Sequence, residues 1–299
     1  MKHKPINEQV VVITGASSGI GLCTALLAAE RGAEVVLVSR SSDTLNEIVH
    51  AIAADGGRAH AMTADVSNRD DVDRVVKDVL AIHGRIDTWV NNAGVAIYGN
   101  LDEVSEQDSR RLFDVNFWGV VNGSLTALTP LRASRGVLIN VGSEVSDAVV
   151  PLQGMYSASK HAVKGFTDAL RVEQEKVRGE GISVVLIQPT AVNTPYPQHA
   201  RNYLDAEPKL PSPLIEPHEV AEAILEAAQA GGRDIKVGGM AHLNTATSKF
   251  LPRLADRMAA KQADRQEHDM PPRHPEGTLF KPGQSGQVYG VDDQGKVIA

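Results

Sequence analysis

A single cysteine, Cys23, stands among 299 residues, which excludes an intrachain disulfide and any metal site built from several thiolates. Cys23 is expected to pack inside the first helix. No apolar run approaches the roughly 20 residues needed to span a bilayer. The basic amino terminus, Met1-Lys2-His3-Lys4-Pro5, runs into Ile6-Asn7-Glu8-Gln9 without an apolar signal core. The expected location is therefore the cytoplasm, with membrane contact disfavoured. Positive charge is in deficit: 30 Lys and Arg against 37 Asp and Glu leave a net charge of −7, which argues against a general nucleic-acid-binding surface. Ten histidines are present, but no HxxxH pair or compact His/Asp/Glu grouping has persuasive ligand spacing, so no metal is expected.

What is present is 42% hydrophobic residues in a chain long enough for a full α/β core. Short β-rich apolar runs, Val10–Ile13, Val35–Val38, Ala59–Thr63, Ile86–Val90, Val137–Val141 and Ile182–Ile187, alternate with helical patterns at Ser42–Ala54, Arg69–His83, Ser105–Thr126, Gly154–Arg178 and Pro217–Ala230. Asp234–Val237 offers a last strand. This alternation predicts a Rossmann-like doubly wound parallel sheet with helices on both faces. Residues 7–239 form the expected main domain and 240–299 a C-terminal extension, helix-compatible to about residue 268 and rich in Pro, Gly and polar residues from Met270 onward. No internal repeat appears.

Thr14-Gly15-Ala16-Ser17-Ser18-Gly19-Ile20-Gly21 follows the first strand and opens a helix. At such a turn Gly15 permits a tight backbone path, Gly19 lets the chain approach a pyrophosphate, and Gly21 lets the helix pack closely on the sheet. N–H groups at the helix start complete an anion site. Farther along, Tyr156 and Lys160 lie four apart on a predicted helix and hence on one face. An ammonium there favours tyrosinate and should lower the tyrosine pKa toward the range useful for proton exchange. Ser143 ends the strand Val137–Val141, thirteen residues before Tyr156, where its hydroxyl can meet a reacting carbonyl. Ser157-Ala158-Ser159-Lys160 also satisfies the SxxK string of serine acyl-enzymes, but the companion strings are absent and acyl transfer is rejected.

The glycine turn, in its GxxxGxG spacing, together with Ser143, Tyr156 and Lys160 resembles the short-chain dehydrogenase/reductase family over approximately Asn7 to Gly239. The resemblance implies hydride transfer between a nicotinamide cofactor and an alcohol or carbonyl, with Asn116, Ser143, Tyr156 and Lys160 as the catalytic set. It further implies cofactor contacts from Gly15, Ser17, Ser18, Gly19, Ile20 and Gly21, from Asp65 and Val66 after the third strand, from Asn92, Ala93 and Gly94 after the fourth, and from Tyr156 and Lys160. The segment Gln188-Pro189-Thr190-Ala191-Val192-Asn193-Thr194-Pro195 is similar to the family's PGxxxT stretch, with Pro189, Val192 and Thr194 toward the nicotinamide and Thr190 in place of the usual glycine. A homo-oligomer is the expected assembly.

The end of the second strand reads Val38-Ser39-Arg40-Ser41. The carboxylate that would receive ribose hydroxyls is missing, and Arg40 can pair with a 2′-phosphate, so NADP(H) is favoured, with NAD(H) possible. Carbonyl reduction is the expected direction. A non-catalytic NADP-binding regulator and a sugar-nucleotide epimerase are the competing readings. The segment from Tyr196 to Pro217 should form the variable substrate lid, in which Tyr203, Leu204 and Leu214 are candidates for an apolar pocket or for packing. Lys249, Arg253, Arg257, Lys261 and Arg265 recur every four residues beside Phe250, Leu254 and Met258, predicting adjacent basic and apolar stripes. Deleting the extension is expected to alter assembly or substrate affinity more than cofactor affinity.

Overall fold

The run Val10-Val11-Val12-Ile13 lacks polar alternation because both its faces are covered: β1, Val10–Thr14, is buried along its whole length as an interior strand of a seven-stranded sheet. In this computed structural model, residues 3–179, 181–283 and 286–291 are described. The remaining large-sheet strands are β2 (Glu34–Ser39), β3 (Arg58–Thr63), β4 (Thr88–Asn91), β6 (Val137–Val141), β7 (Ser183–Pro189) and β9 (Asp234–Val237). Their order is β3-β2-β1-β4-β6-β7-β9, and every pairing is parallel. The strand order reverses between β1 and β4, and such a switch point opens a crevice at the carboxyl ends of the strands. A small parallel pair, β5 (Ile97–Tyr98) with β8 (Arg201–Asn202), stands apart and was not foreseen.

The flanking helices are α1 (Gly19–Glu30), α2 (Ser42–Ala54), α3 (Arg69–His83), α4 (Glu106–Phe113), α5 (Gly119–Ser134), α6 (Gly154–Arg171), α7 (Tyr196–His199) and α8 (Pro217–Ala230). The third shows why these segments fold as they do. Val72, Val75, Val76 and Val79 recur on one face and are all buried, each contributing about 1.5–3 kcal/mol of transfer free energy. Asn68 caps the start by accepting from the Asp70 N–H, and Gly84 in the left-handed region stops the helix.

The expected helix over Ser105–Thr126 is three pieces: α4, a π-helical turn at Asp114–Trp118, and α5, which runs on to Ser134. Likewise α6 passes into a π-helical stretch at Val172–Arg178. Hydrophobic periodicity cannot register a one-residue insertion of this kind. Cys23 is half-buried on α1 and packs against the core on that face of the sheet.

After β9 the chain forms α9 (Gly239–Phe250) and α10 (Pro252–Ala260). They break at Leu251, with Pro252 at the first position of the second helix. The basic and apolar stripe is therefore interrupted, and Phe250 and Leu254 remain exposed. Residues 266–283 and 286–291 are irregular, and the end of the expected extension, residues 292–299, lies outside the described residues.

Candidate active site

Each sheet strand around the switch point delivers a predicted residue directly after its last position: Gly15 after β1, Arg40 after β2, Asn92 after β4, and Ser143 two residues after β6. Gly15 has φ +67°, and a Cβ there would stand 2.7 Å from the Ala93 Cα. At Gly21 a Cβ would meet the Gly15 carbonyl oxygen at about van der Waals overlap and crowd the Asn92 amide. Both positions therefore require glycine for steric reasons. Thr14, which sequence reasoning missed, ties the two loops: its Oγ1 accepts from the backbone N–H of Asn92 (3.0 Å) and of Ala93 (3.1 Å). Asn92 Nδ2 completes the brace by donating to the Thr14 and Gly15 carbonyls.

One continuous cavity of about 350 Å³ runs along the carboxyl edge of the sheet. Its wall includes Gly15, Ser17, Ser18, Gly19 and Ile20, then Arg40, Asp65 and Val66, then Asn92, Ala93 and Gly94, and at its far end Ser143, Tyr156, Lys160, Pro189, Val192 and Thr194. Two predicted residues do not line it. Gly21 lies behind the glycine loop, and Asn116 is fully buried in the π-helical turn. Asn116 Oδ1 accepts from the Val95 N–H (2.8 Å), while its Nδ2 donates to the Val95 carbonyl (2.9 Å) and to Ser159 Oγ (3.2 Å). It thus fastens the loop after β4 to the helix that carries Tyr156 and Lys160.

A second buried network sets the position of that helix. Asn91 Nδ2 donates to Asn140 Oδ1 (2.8 Å), and Asn140 Nδ2 donates to Thr167 Oγ1 on α6 (2.9 Å). Trp89 Nε1 donates to Asn91 Oδ1 (2.8 Å). Fully paired buried amides of this kind hold two strands and a helix in one arrangement.

The expected effect of Lys160 on Tyr156 is overturned in this state. Lys160 Nζ donates to the Val141 carbonyl (2.8 Å) and lies 5.6 Å from the centre of the Tyr156 ring. Burial pushes Tyr156 up to about 12; hydrogen bonds with Tyr196 and Ser143 pull it down and the nearby Glu144 raises it. Burial lowers Lys160 to about 8. Desolvation of both groups outweighs their mutual influence.

Asp65 is held by its neighbours. Burial raises its carboxyl, but hydrogen bonds from Ser67 and Arg111 outweigh that and keep it below the ordinary carboxylate range. Arg111 Nη2 stands 2.6 Å from Asp65 Oδ2. Arg40 Nη2 donates to the Thr278 carbonyl (2.5 Å) and Nη1 to that of Leu279 (3.3 Å). Thr190 extends the β7 pairing by donating to the Val237 carbonyl (3.1 Å), and Thr194 Oγ1 donates to the Val192 carbonyl (3.3 Å).

The apolar-pocket candidates of the substrate segment lie elsewhere. Tyr203 donates to Asp108 (2.8 Å), Leu204 packs near Tyr98 and Ala200, and Leu214 is partly exposed. Their places in the wall beside Tyr156 are taken by Val145, Val149, Gln153, Tyr196 and Leu210, roofed by Thr247, Ala255, Met258 and Ala259 of α9 and α10. Tyr196 donates to Gln153 Oε1 (2.7 Å), and its ring stands edge-on to Tyr156 at 5.4 Å. Glu144 accepts from Asn244 (3.0 Å), and burial raises its carboxyl. No spacing signal could have brought residues 144, 196 and 258 together.

The short chain dehydrogenase family model matches residues 9–204. The chain belongs to this family. It is 40% identical to the uncharacterized oxidoreductase YxnA of Bacillus subtilis, over 99% of this chain and 83% of that one. It is 32% identical to a cyclopentanol dehydrogenase of Comamonas, over 78% and 97%. A solved alcohol dehydrogenase from the archaeon Thermococcus sibiricus, complexed with 5-hydroxy-NADP, superposes with a TM-score of 0.67 at 27% identity, covering 77% of this chain and 94% of that one. This short-chain dehydrogenase has no helix, among the described residues, long and apolar enough to cross a membrane. One cluster that spacing did not reveal, Glu34, His60 and His83, places its ligand atoms within 4.8 Å of one another. It sits away from the cavity, and Glu34 is paired with Arg58.

Proposed function

We propose that the protein is an NADP(H)-dependent oxidoreductase that reduces an aldehyde or ketone to an alcohol. The carrying observation is that a single cavity joins the glycine turn and Arg40 at one end to Ser143, Tyr156 and Lys160 at the other. The amino end of α1, capped at Ser18 without a side-chain bond, opens on the middle of that cavity and suits a pyrophosphate. The residues present therefore fit a dinucleotide. Bound there, the nicotinamide supplies the hydride.

The protein's own groups supply the rest. With its pKa near 12 in the free state, Tyr156 is a neutral phenol at physiological pH and so stands ready to donate a proton to a carbonyl oxygen. Ser143, hydrogen-bonded with Tyr156, orients that oxygen. Lys160, on the same face of α6, would hold the sugar of the cofactor, and its positive charge would stabilise the negative charge developing on the substrate oxygen. The apolar wall formed by Val145, Val149, Leu210 and Met258 suits a carbonyl with a hydrocarbon body. A screen of aldehydes and ketones followed by NADPH absorbance tests the reading. Cofactor binding without turnover across an apolar panel would favour the regulator, and sugar-nucleotide binding the epimerase.

NADP preference is assigned to Arg40. Its Nη1 and Nη2 donate to the carbonyls of Thr278, Leu279 and Lys281, which holds the guanidinium at the cavity wall, where its charge can meet a 2′-phosphate. Arg40→Ala should weaken NADPH binding roughly tenfold or more while leaving NADH nearly unchanged. Equal losses in direct titrations with both cofactors would remove Arg40 from the assignment.

A further inference from the structure

The C-terminal segment returns to the site. Residues 275–278 are anchored beside β8: Asn202 N–H donates to the Pro275 carbonyl and Thr278 N–H to that of His199, both at 2.8 Å. Gly277, at φ +53°, lies so close to Ala200 that a Cβ would overlap its carbonyl. Leu279 is then fully buried in a cluster with Val66, Leu112 and Val115. Both Val66 and Val115 also line the cavity beside Asp65. The carbonyls of residues 278, 279 and 281 hold Arg40, and Arg111, the partner of Asp65, donates to the Leu279 carbonyl (3.2 Å). Farther on, the Gln287 carbonyl accepts from the Gly19 N–H at the amino end of α1 (2.9 Å), and Gly290 lies against Thr194. Thr278, Pro282 and Gly283 form part of the cavity wall.

We propose that these two runs, 277–283 and 286–290, are a strap that completes the cofactor site and covers it. This rests on the dinucleotide reading above. The contacts follow the site from its phosphate-selecting end at Arg40 to the α1 terminus and then to Thr194, so the strap crosses the path a dinucleotide takes between glycine turn and Tyr156. Thr278, Pro282 and Gly283 of the first run form one wall of the cavity, and the Gln287 carbonyl of the second holds the Gly19 N–H, a donor that a pyrophosphate takes over on binding. By accepting from Nη1 and Nη2 of Arg40, the strap also fixes the place of the guanidinium in the cavity wall. Leu279 is the anchor: it seats the segment in an apolar hole, and its own carbonyl binds both arginines. Leu279 is therefore a positioning residue for cofactor selection. The YxnA alignment spans 99% of the chain and so includes this segment.

The test uses the full chain. Hydrogen exchange in peptides from residues 277–290 should slow about tenfold on adding NADPH, because exchange of covered backbone follows local opening. Unchanged exchange overturns the proposal, and faster exchange overturns it in favour of a competitor that NADPH displaces. Leu279→Asp, which places a charge in the apolar hole, should release NADPH about tenfold faster in a chase experiment and narrow the NADPH-over-NADH preference. Leu279→Met should restore both. Loss of fold alone would be seen in the melting temperature and would strike both cofactors equally, an outcome that counts against the strap. If wild-type protein binds no NADPH, the dinucleotide reading itself falls. If it binds NADPH and Leu279→Asp leaves release and preference unchanged, only the strap falls.

Discussion

Tyr156→Phe is expected to lower NADPH-linked carbonyl reduction by about 10²–10⁴-fold, the usual worth of a positioned proton donor, with NADPH affinity nearly unchanged. The substitution keeps the ring and its edge contact with Tyr196, so packing around α6 is preserved. It removes the hydroxyl that hydrogen-bonds Tyr196 and Ser143 and that the proposed reaction uses as acid. An interaction made only in the transition state lowers kcat and kcat/KM together. Steady-state rates beside a cofactor titration check this. A variant rate within about tenfold of wild type would remove Tyr156 from the chemistry.

Much of this site could be read before any geometry, for a physical reason. The glycines, Asn92 and Ser143 stand at the ends of buried parallel strands, and such strands announce themselves as short β-branched runs. Ser42–Ala54, Arg69–His83 and Pro217–Ala230 matched their helices to the residue because caps, prolines and glycines mark their ends. What stayed hidden depends on contacts between distant segments. The burial of Leu279 is one case, since Val66 and Leu112 lie far away in sequence and the stretch around it is rich in Pro, Gly and polar residues without periodicity. Tyr203 is another: an aromatic in a substrate segment suggests a pocket, yet its hydroxyl is spent on Asp108. The pKa of Tyr156 is a third, because spacing gives the proximity of Lys160 but not the burial that dominates both groups.

That burial leads to the second large effect. Lys160→Met should cut turnover by about 10²-fold or more, the scale of losing one oriented charge at a reacting oxygen, while making the folded protein more stable near neutral pH. Lys160 is 4% exposed, and its pKa falls from 10.5 to about 8 through desolvation alone. At 1.36 kcal/mol per pKa unit, that depression costs about 3 kcal/mol of stability while the lysine is charged. The variant also loses the hydrogen bond from the ammonium to the Val141 carbonyl, worth about 2 kcal/mol for a charged donor, so a net gain of about 1 kcal/mol is expected. The pH dependence follows from linkage. Between about pH 8 and 10.5 the unfolded chain keeps the Lys160 proton and the folded chain does not, so wild-type stability rises with pH across this window. The advantage of the methionine variant should therefore be full below about pH 8 and gone by about 10.5, where only the lost hydrogen bond remains. Denaturant melts of both proteins at neutral and alkaline pH measure the gap. A variant less stable than wild type at pH 7 would show that the ammonium is compensated in place, and the stability cost assigned to this lysine would then be wrong.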